Sequence, residues 1–81
     1  MKGGAMMEKL AGILKEIKSD VDYGKESRLF TDGILTSLDM VRLVLGINEL
    51  FGIEIDPDDI ITENFDSVPA MMKLIERYGD K

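Results

Sequence analysis

Residues 32–60 read DGILTSLDMVRLVLGINELFGIEIDPDDI, and the architecture follows from this stretch. Apolar residues recur at helical spacing after Ser37, which predicts an amphipathic helix over residues 37–51. Ser37 is a preferred N-cap type, Asp39 complements the positive end of the helix dipole, and Gly52 can end the helix at C′. The apolar positions expected on this helix are Leu38, Val41, Val44, Leu45, Ile47 and Leu50.

Two further amphipathic helices flank this stretch. The first is predicted over residues 5–18, where Gly12 can allow close approach to another helix. The last is predicted over residues 67–78, capped by Asp66 or Ser67. The apolar positions are Met6, Leu10, Ile13, Leu14 and Ile17 in the first helix, and Val68, Met71, Met72, Ile75 and Tyr78 in the last.

The segment between the second and last helices contains a weaker helical signal. Asp56 and Pro57 have the residue types of an N-cap and an N1 position, which predicts a short helical turn over residues 58–61. The next residues, TENF, are predicted to form a loop in which Phe65 is buried.

The connection over residues 19–36 keeps no regular period and is longer than most structureless loops. We expect its apolar residues to hold it to the core: Leu29, Phe30, Ile34 and Leu35. The prediction is an all-α protein with three main helices and a short third helix in a four-helix bundle with a long first loop. Its 81 residues suit a single domain, 1–81.

The composition excludes several classes of function. The chain contains neither Cys nor His, so it has no disulfide, no thiolate nucleophile and no imidazole metal ligand. Ser37 therefore has no histidine base to activate it. The segment DVDYGKESRLFT, residues 20–31, departs from a calcium-binding loop at its fifth, sixth and twelfth positions. We expect neither catalysis nor a metal site.

The net charge of −6 is unevenly distributed. Residues 29–66 carry one base, Arg42, against nine acids. A field of this sign repels nucleic acid and anionic lipid and attracts basic partners, although a solvated acidic surface also serves solubility alone. No apolar run has the length of a signal peptide core or a membrane span. We therefore expect a cytoplasmic monomer that binds neither nucleic acid nor membrane.

Ser37 has two interpretations. As an N-cap, it contributes about 1 kcal/mol to the stability of its helix. As an attachment site, it places a phosphodiester beside the free N–H groups and partial positive charge of a helix N-terminus. The preceding loop leaves the hydroxyl accessible to another enzyme. Taken alone, the residue type favours the cap.

From Leu29 to Tyr78, the chain resembles an acyl carrier protein. The attachment signature of that family is an Asp-Ser-Leu triplet before an amphipathic helix, and the corresponding residues here begin TSLDM, residues 36–40. The helix ends in FGIEI, a proline-started acidic turn, DPDDI, follows, and ENFDSV leads into the last helix. The first helix also fits, so the resemblance covers most of the chain.

The resemblance implies a carrier that does no chemistry itself. Ser37 would carry 4′-phosphopantetheine, transferred from coenzyme A by a separate phosphopantetheinyl transferase, and the thiol of this arm would hold an acyl group as a thioester. The carrier would shelter the acyl chain and deliver it to enzymes of fatty-acid, lipid or secondary-metabolite biosynthesis, including a loading ligase or synthetase. The residues expected to line the acyl-chain pocket are Val41, Val44, Ile61 and Met71, together with Met40.

The resemblance also gives the acidic field a use. Partner enzymes of such carriers present Arg and Lys patches, and each exposed ion pair contributes about 0–1 kcal/mol, so recognition should be weak, fast and salt-sensitive. Leu38 and Met40 would add an apolar contact beside the attachment point. The acids expected to meet basic partners are Asp39, Glu49, Asp56 and Asp59.

Two positions depart from the family's pattern. Thr36 stands where the family has the Asp of its triplet, which can help bind metal in the transferase complex, and Asp39 is a candidate for partial compensation. Arg42 stands where the family often has Glu, which suggests partners other than those of general fatty-acid synthesis. Two alternatives stay open: an aminoacyl or peptidyl carrier of the D-alanyl type, and an unmodified carrier-like interaction module.

Overall fold

A computed structural model of the chain describes residues 2–79, with side chains from residue 6 onward. Residues 2–79 form four α-helices and contain no β-strand. The helices are α1 (Lys2–Ile17), α2 (Ser37–Phe51), α3 (Thr62–Phe65) and α4 (Val68–Gly79). The all-α prediction and the bounds of the three long helices are confirmed, to within a few residues at the ends.

The short helix between α2 and α4 lies later in the chain than predicted. Asp56 accepts a hydrogen bond from Asp58 N at 2.9 Å, but the turn it caps is a single 3-10 turn, Pro57–Asp59. The α-helical turn is TENF, which was predicted as a loop. Asn64 Nδ2 donates to the carbonyl of Asp59 at 2.8 Å and the Phe65 side chain is fully buried. This local hydrogen bond and the burial of Phe65 hold α3 in place.

The core lies between α1, α2 and α4, and the long first loop closes it. α1 packs against α2 and α4, and α3 packs against α4. Phe65 was correctly predicted to be buried, as were Leu29 and Leu35, which hold the loop to the bundle. The fully buried side chains are those of Leu10, Leu14, Leu29, Leu35, Leu43, Ile47, Phe65, Met71 and Leu74.

The apolar positions predicted on α2 divide between the core and the surface. Val44 and Ile47 are buried as expected, and Leu43, which was not expected in the core, is fully buried. Leu50 is exposed, as are three residues that we call the outer stripe: Leu38, Val41 and Leu45. α2 has apolar residues on two of its faces, and periodicity alone does not say which face meets the core.

The last helix also differs in detail from its predicted stripe. Val68, Met71 and Ile75 are buried as predicted, whereas Met72 and Tyr78 are only partly buried. Leu74, which was not predicted, is also buried.

The close approach of α1 and α2 occurs at Gly46 and not at Gly12, where it was predicted. A Cβ atom on Gly46 would lie 3.0 Å from Cγ2 of Ile13, whereas one on Gly12 would meet nothing within 4 Å. The absence of a side chain at Gly46 therefore lets the two helices pack closely in the middle of α2.

Asp66 joins the first loop to the segment just before α4. Its Oδ1 accepts hydrogen bonds from Phe30 N at 2.8 Å and Thr31 N at 2.9 Å, and its Oδ2 accepts one from the Thr31 hydroxyl. The N-cap of α4 is therefore Ser67, whose Oγ accepts from Ala70 N at 3.3 Å. Of the two caps predicted for this helix, Ser67 is correct, and Asp66 anchors the loop instead.

The hydrogen bonds to Asp66 favour its ionised form. Burial by itself raises the pKa of this carboxyl, but the bonds from Thr31 and Phe30 outweigh burial and lower the pKa below its usual value of 3.8. A carboxyl whose pKa is lower in the folded protein stabilises the fold above its unfolded pKa, and this contribution is lost as the pH falls toward the folded value.

We expect Asp66→Ala to lower the free energy of unfolding by about 1–2 kcal/mol near neutral pH, because three donors of the loop lose a charged acceptor. The difference between the wild type and the variant should be constant above about pH 5 and should shrink below about pH 4. Urea unfolding followed by circular dichroism at several pH values measures this. Glu63→Ala is the control, since Glu63 is exposed. A difference independent of pH would contradict the assigned role.

Candidate functional site

The start of α2 is closed by a capping box built from Thr36 and Asp39. Thr36 Oγ1 accepts a hydrogen bond from Asp39 N at 3.3 Å, and Asp39 Oδ2 accepts one from Thr36 N at 2.9 Å. The N-cap is therefore Thr36, and not Ser37, whose residue type also suits a cap. Both residues are of capping types, and only the backbone conformation decides between them: Thr36 is extended, with φ −101° and ψ 174°.

Ser37 is the first residue of α2, and its side chain is exposed. Within residues 2–79, no hydrogen bond involves its hydroxyl. The two adjacent hydroxyls therefore differ in availability. Thr36 Oγ1 is engaged in the cap, whereas Ser37 Oγ is accessible to a reagent from solution. The structure therefore excludes the interpretation of Ser37 as the N-cap of α2.

The surroundings of Ser37 suit a phosphate group. The cap uses Asp39 N, and Met40 N donates to the carbonyl of Thr36 at 3.0 Å, so the first two N–H groups of α2 stay available. A helix N-terminus with such groups favours an anion. The exposed serine at this position therefore fits a phosphodiester-linked prosthetic group.

The loop before α2 is fixed in place but leaves Ser37 accessible. Leu35 is buried, and its N–H donates to the carbonyl of Leu29 at 2.8 Å. Gly33 adopts a φ of 75°, in the left-handed region that glycine tolerates, and lies in the turn that precedes the helix. The loop therefore holds the start of α2 from the core side while its outer surface stays open to solvent.

The residues predicted to meet partners differ in their availability. Arg42 and Glu49 are exposed, and so is Leu38, next to the attachment position. Met40 and Asp39 are only partly exposed: Met40 packs against the core, and Asp39 holds the cap. The structure places all five on α2, whereas Asp56 and Asp59 lie in the segment that follows it.

Asp56 and Asp59 help to hold this segment to α4. The Tyr78 hydroxyl donates to Asp59 Oδ2 at 2.6 Å and accepts from Asp56 N at 2.7 Å, and Arg77 Nη2 lies 3.7 Å from Asp59 Oδ1. The hydrogen bond with Asp59 raises the pKa of Tyr78, so the phenol stays protonated and acts as a donor. Sequence reasoning placed Tyr78 in the apolar stripe and missed this contact.

The residues predicted to line an acyl-chain pocket do not share one environment. Val44 and Met71 are packed in the core, with exposed fractions of 8% and 0%. Val41 and Ile61 are on the surface, with exposed fractions of 54% and 42%. A chain inserted among these residues would have to separate packed side chains. A mainly apolar cleft of about 270 Å³ occurs elsewhere, between α1, the first loop and the start of α4, lined by Met7, Ala11, Tyr23, Gly24, Val68 and Pro69.

The part of the chain that the structure describes contains neither a metal-binding cluster nor a membrane-spanning helix. No three or more acidic, His or Cys side chains among residues 2–79 are grouped so that they could hold a metal ion. No helix in the same range is long and apolar enough to cross a membrane.

The helical bundle presents the exposed hydroxyl of Ser37 at the start of α2. The family described as "Phosphopantetheine attachment site" matches residues 5–75. The aminoacyl carrier protein 1 of Bradyrhizobium diazoefficiens is 36% identical over 64 residues, which cover 79% of this chain and 70% of that protein. No solved structure matches the chain. The chain belongs to the family of phosphopantetheine carrier proteins.

This membership confirms the resemblance to acyl carrier proteins and the expected cofactor, 4′-phosphopantetheine. The domain is a carrier and not a catalyst. Carriers of this family work with a phosphopantetheinyl transferase and with biosynthetic enzymes.

Replacing each of the two hydroxyls separately should give different changes in stability. We expect Thr36→Ala to lower the free energy of unfolding of the unmodified protein by about 1 kcal/mol, because the capping box is lost. Ser37→Ala should change it by less than about 0.5 kcal/mol, because its hydroxyl makes no contact that the fold needs. Urea unfolding of both variants measures the two changes, and equal losses would contradict the assignment of the cap to Thr36.

Proposed function

We propose that Ser37 is the residue that carries 4′-phosphopantetheine. The observation that supports this is its exposed hydroxyl, free of hydrogen bonds within residues 2–79, at the N-terminus of α2. In the transfer, Ser37 Oγ forms a bond to the phosphorus next to the pantetheine group and loses its proton. The pyrophosphate bond of coenzyme A breaks, and the nucleotide part leaves. The bound arm supplies a thiol, which this chain lacks, for a thioester with the cargo.

Thr36, in place of the usual Asp, does not disturb the scaffold that presents Ser37. Its hydroxyl closes the helix, and the carboxylate of Asp39 is held beside the same turn by its bond to Thr36 N. Asp39 is therefore the acidic group fixed nearest along the chain to Ser37. We assign to Asp39 the electrostatic role that the Asp of the triplet has in other carriers.

For the cargo, we favour an aminoacyl group over a fatty-acyl chain. The identified relative is named an aminoacyl carrier protein. A short polar cargo can stay at the surface, whereas a long chain would have to enter between residues such as Val44 and Met71, which are packed in the core. The loading enzyme would then be an amino-acid ligase.

A fatty-acyl cargo is the second candidate. It is supported by the motifs FGIEI and DPDDI at the spacing of stand-alone acyl carriers. Under this alternative, the partners would be the ligase and the enzymes of fatty-acid, lipid or secondary-metabolite biosynthesis, with basic patches that face the acids. Under either cargo, we assign a monomer that acts in the cytoplasm, where coenzyme A and the transferase meet.

We expect one phosphopantetheinyl group to be added when the purified protein is incubated with coenzyme A and a broad-specificity phosphopantetheinyl transferase. Intact-mass spectrometry measures the gain, and peptide mapping should place the group on Ser37. Ser37→Ala should show no gain, whereas Thr36→Ala should still be modified, because only one of the two hydroxyls is the acceptor.

A group mapped to another residue would contradict the assignment of Ser37. If the wild type shows no gain, Thr36→Asp tests whether the departure from the family's triplet is the cause. Absence of modification in both folded proteins would favour the interaction module over the carrier.

We expect the protein isolated from the cells that produce it naturally to carry an aminoacyl thioester. Fragmentation of the arm in the mass spectrometer gives the mass of the cargo, and reaction with an amine-specific reagent shows its free amino group. A fatty-acyl mass would contradict the aminoacyl assignment.

A matched comparison tests whether the packed core excludes a fatty-acyl chain, which is the physical reason for preferring an aminoacyl cargo. An octanoyl arm installed from octanoyl-coenzyme A should leave the melting temperature within about 2 °C of that of the protein with an unloaded arm, because the chain stays outside the core. A clear rise would show that the helices shelter the chain, and it would favour the fatty-acyl cargo.

A further inference from the structure

Gly12 is a glycine in the interior of α1 that the fold itself does not need. A Cβ atom at this position would meet nothing in the described part of the chain within 4 Å, whereas one on Gly46 would lie 3.0 Å from Cγ2 of Ile13. Glycine in the middle of a helix is less favourable than alanine, because its backbone loses more freedom on folding. The missing side chain of Gly12 therefore leaves space open at the surface of the bundle.

This space belongs to a groove of about 440 Å³ between α1 and α2, which we call the α1–α2 groove. Gly12 and Gly46 line it from the two helices, and Ile13 and Leu50 add apolar surface. Leu50 has an exposed fraction of 45%, so part of this apolar surface faces solvent. Because the two glycines have no side chains, the backbone of another chain can come close to both helices here.

The rest of the lining of the α1–α2 groove is charged and mostly acidic. Glu8, Glu16 and Glu49 are exposed, and none of them takes part in an ion pair or a side-chain hydrogen bond within the described part of the chain. Lys9 also lines the groove, and its Nζ lies 5.7 Å from the centre of the Phe51 ring, in a cation–π contact. The groove therefore presents more negative than positive charge to a ligand.

The acids of α1 are placed on both sides of Gly12. Glu8 stands four residues before the glycine and Glu16 four residues after it, so the three residues lie on one side of the helix. Each acid is about 6 Å from Gly12 along the helix axis. A helix that approaches Gly12 closely thus brings its own side chains near both carboxylates.

Charge and shape together decide what the groove accommodates. A second copy of the groove would bring carboxylates face to face, and nucleic acid or an anionic lipid surface would also be repelled. An α-helix with lysine or arginine beside a stripe of alanine or glycine is complementary in both respects. The small residues meet Gly12 and Gly46, and the basic side chains reach the three carboxylates.

The groove is separate from the attachment position. Gly46 and Leu50 stand nine and thirteen residues after Ser37, which corresponds to about 13 and 20 Å along α2. Leu50 also lies about 140° around the helix axis from Leu45 of the outer stripe. A helix bound in the groove therefore leaves both Ser37 and the outer stripe uncovered.

We infer that the α1–α2 groove is a binding site for a basic α-helix of a partner protein, which has alanine or glycine opposite Gly12. The partner tethers the carrier through α1 while Ser37 stays accessible to the enzymes that act on it. This interaction surface is independent of the proposed attachment and of the cargo.

The test uses a synthetic peptide of about 18 residues, long enough to form an isolated helix. Alanines occupy one face, lysines flank them, and both ends are blocked. Titration of this lysine peptide into the full-length, ¹⁵N-labelled protein should give saturable amide shifts at Gly12, Ile13 and Gly46, with no shift at Ser37. The same peptide with glutamate in place of every lysine should give no shifts. Absence of shifts with the lysine peptide, or shifts centred on the outer stripe, would overturn the inference.

Gly12→Ala separates a binding role from a structural one. We expect its affinity for the lysine peptide to fall about tenfold, because the new methyl group keeps the two backbones apart. Its melting temperature should rise by about 4 °C, because alanine favours the helix and its Cβ has space. A lower melting temperature would show that the fold requires this glycine, and an unchanged affinity would show that the groove is not the site. Either result contradicts the inference.

Glu16→Lys tests the role of the carboxylates and should lower the affinity for the lysine peptide about tenfold. Glu76→Lys is the matched control, because Glu76 is exposed on α4 and the substitution changes the net charge by the same amount. Its affinity should stay within about twofold of the wild-type value. Equal losses in the two variants would mean that general attraction to an acidic protein explains the binding, and the groove would be rejected. Circular dichroism establishes that both variants are folded.

Two further measurements test the tether. A phosphopantetheinyl transferase should modify Ser37 at rates that agree within about twofold with and without saturating lysine peptide, and strong inhibition would contradict the inference. If sedimentation shows a wild-type dimer that Gly12→Ala dissociates, the groove binds a second copy of the chain and the inference is wrong. If the lysine peptide binds in the groove but the transferase adds no group to Ser37, the proposed attachment fails and the groove stands.

Discussion

The packing of one face of α2 against the rest of the bundle determines what the molecule presents to its surroundings. Leu43, Val44 and Ile47 enter the core, and Gly46 lets Ile13 of α1 come close. Because a helix is rigid, fixing this face also fixes the direction of every other side chain of α2. The serine at its start and the outer stripe along it are therefore held on the surface without any further interaction.

The capping box determines which of two neighbouring hydroxyls stays free. Two neighbouring residues have hydroxyls, and the extended conformation of Thr36 commits its oxygen to Asp39 N. Ser37 is left with an unengaged hydroxyl beside the positive end of the helix dipole. The same interaction accommodates a threonine where other carriers have an aspartate, because threonine also caps helices well.

The acids of the chain have different roles, which a count of charges cannot reveal. Asp66 binds the first loop through Phe30 and Thr31, and Asp59 joins Tyr78 and Arg77 of α4. These carboxylates keep the connecting segments in place around α2. Others, such as Glu49, are exposed and remain available to solvent or to partners. Part of the negative charge is therefore structural, and recognition cannot be read from the net charge.

The sequence by itself determined the three long helices, the long first loop, the buried Phe65 and the family. Helical periodicity, Gly52 at a helix end and the motifs around Ser37 are local signals, so they can be read without knowledge of distant contacts. Family membership also determined the class of cofactor.

The tertiary structure alone decided which face of α2 is buried, which hydroxyl caps it, where the short helix lies, and what Asp66 and Tyr78 bind. α2 carries apolar residues on two sides, and only the arrangement of α1 and α4 selects Leu43 for the core over Leu45. Asp66 finds its partners 35 and 36 residues away in the sequence. Contacts at such separations leave no local pattern, because they depend on how the whole chain packs.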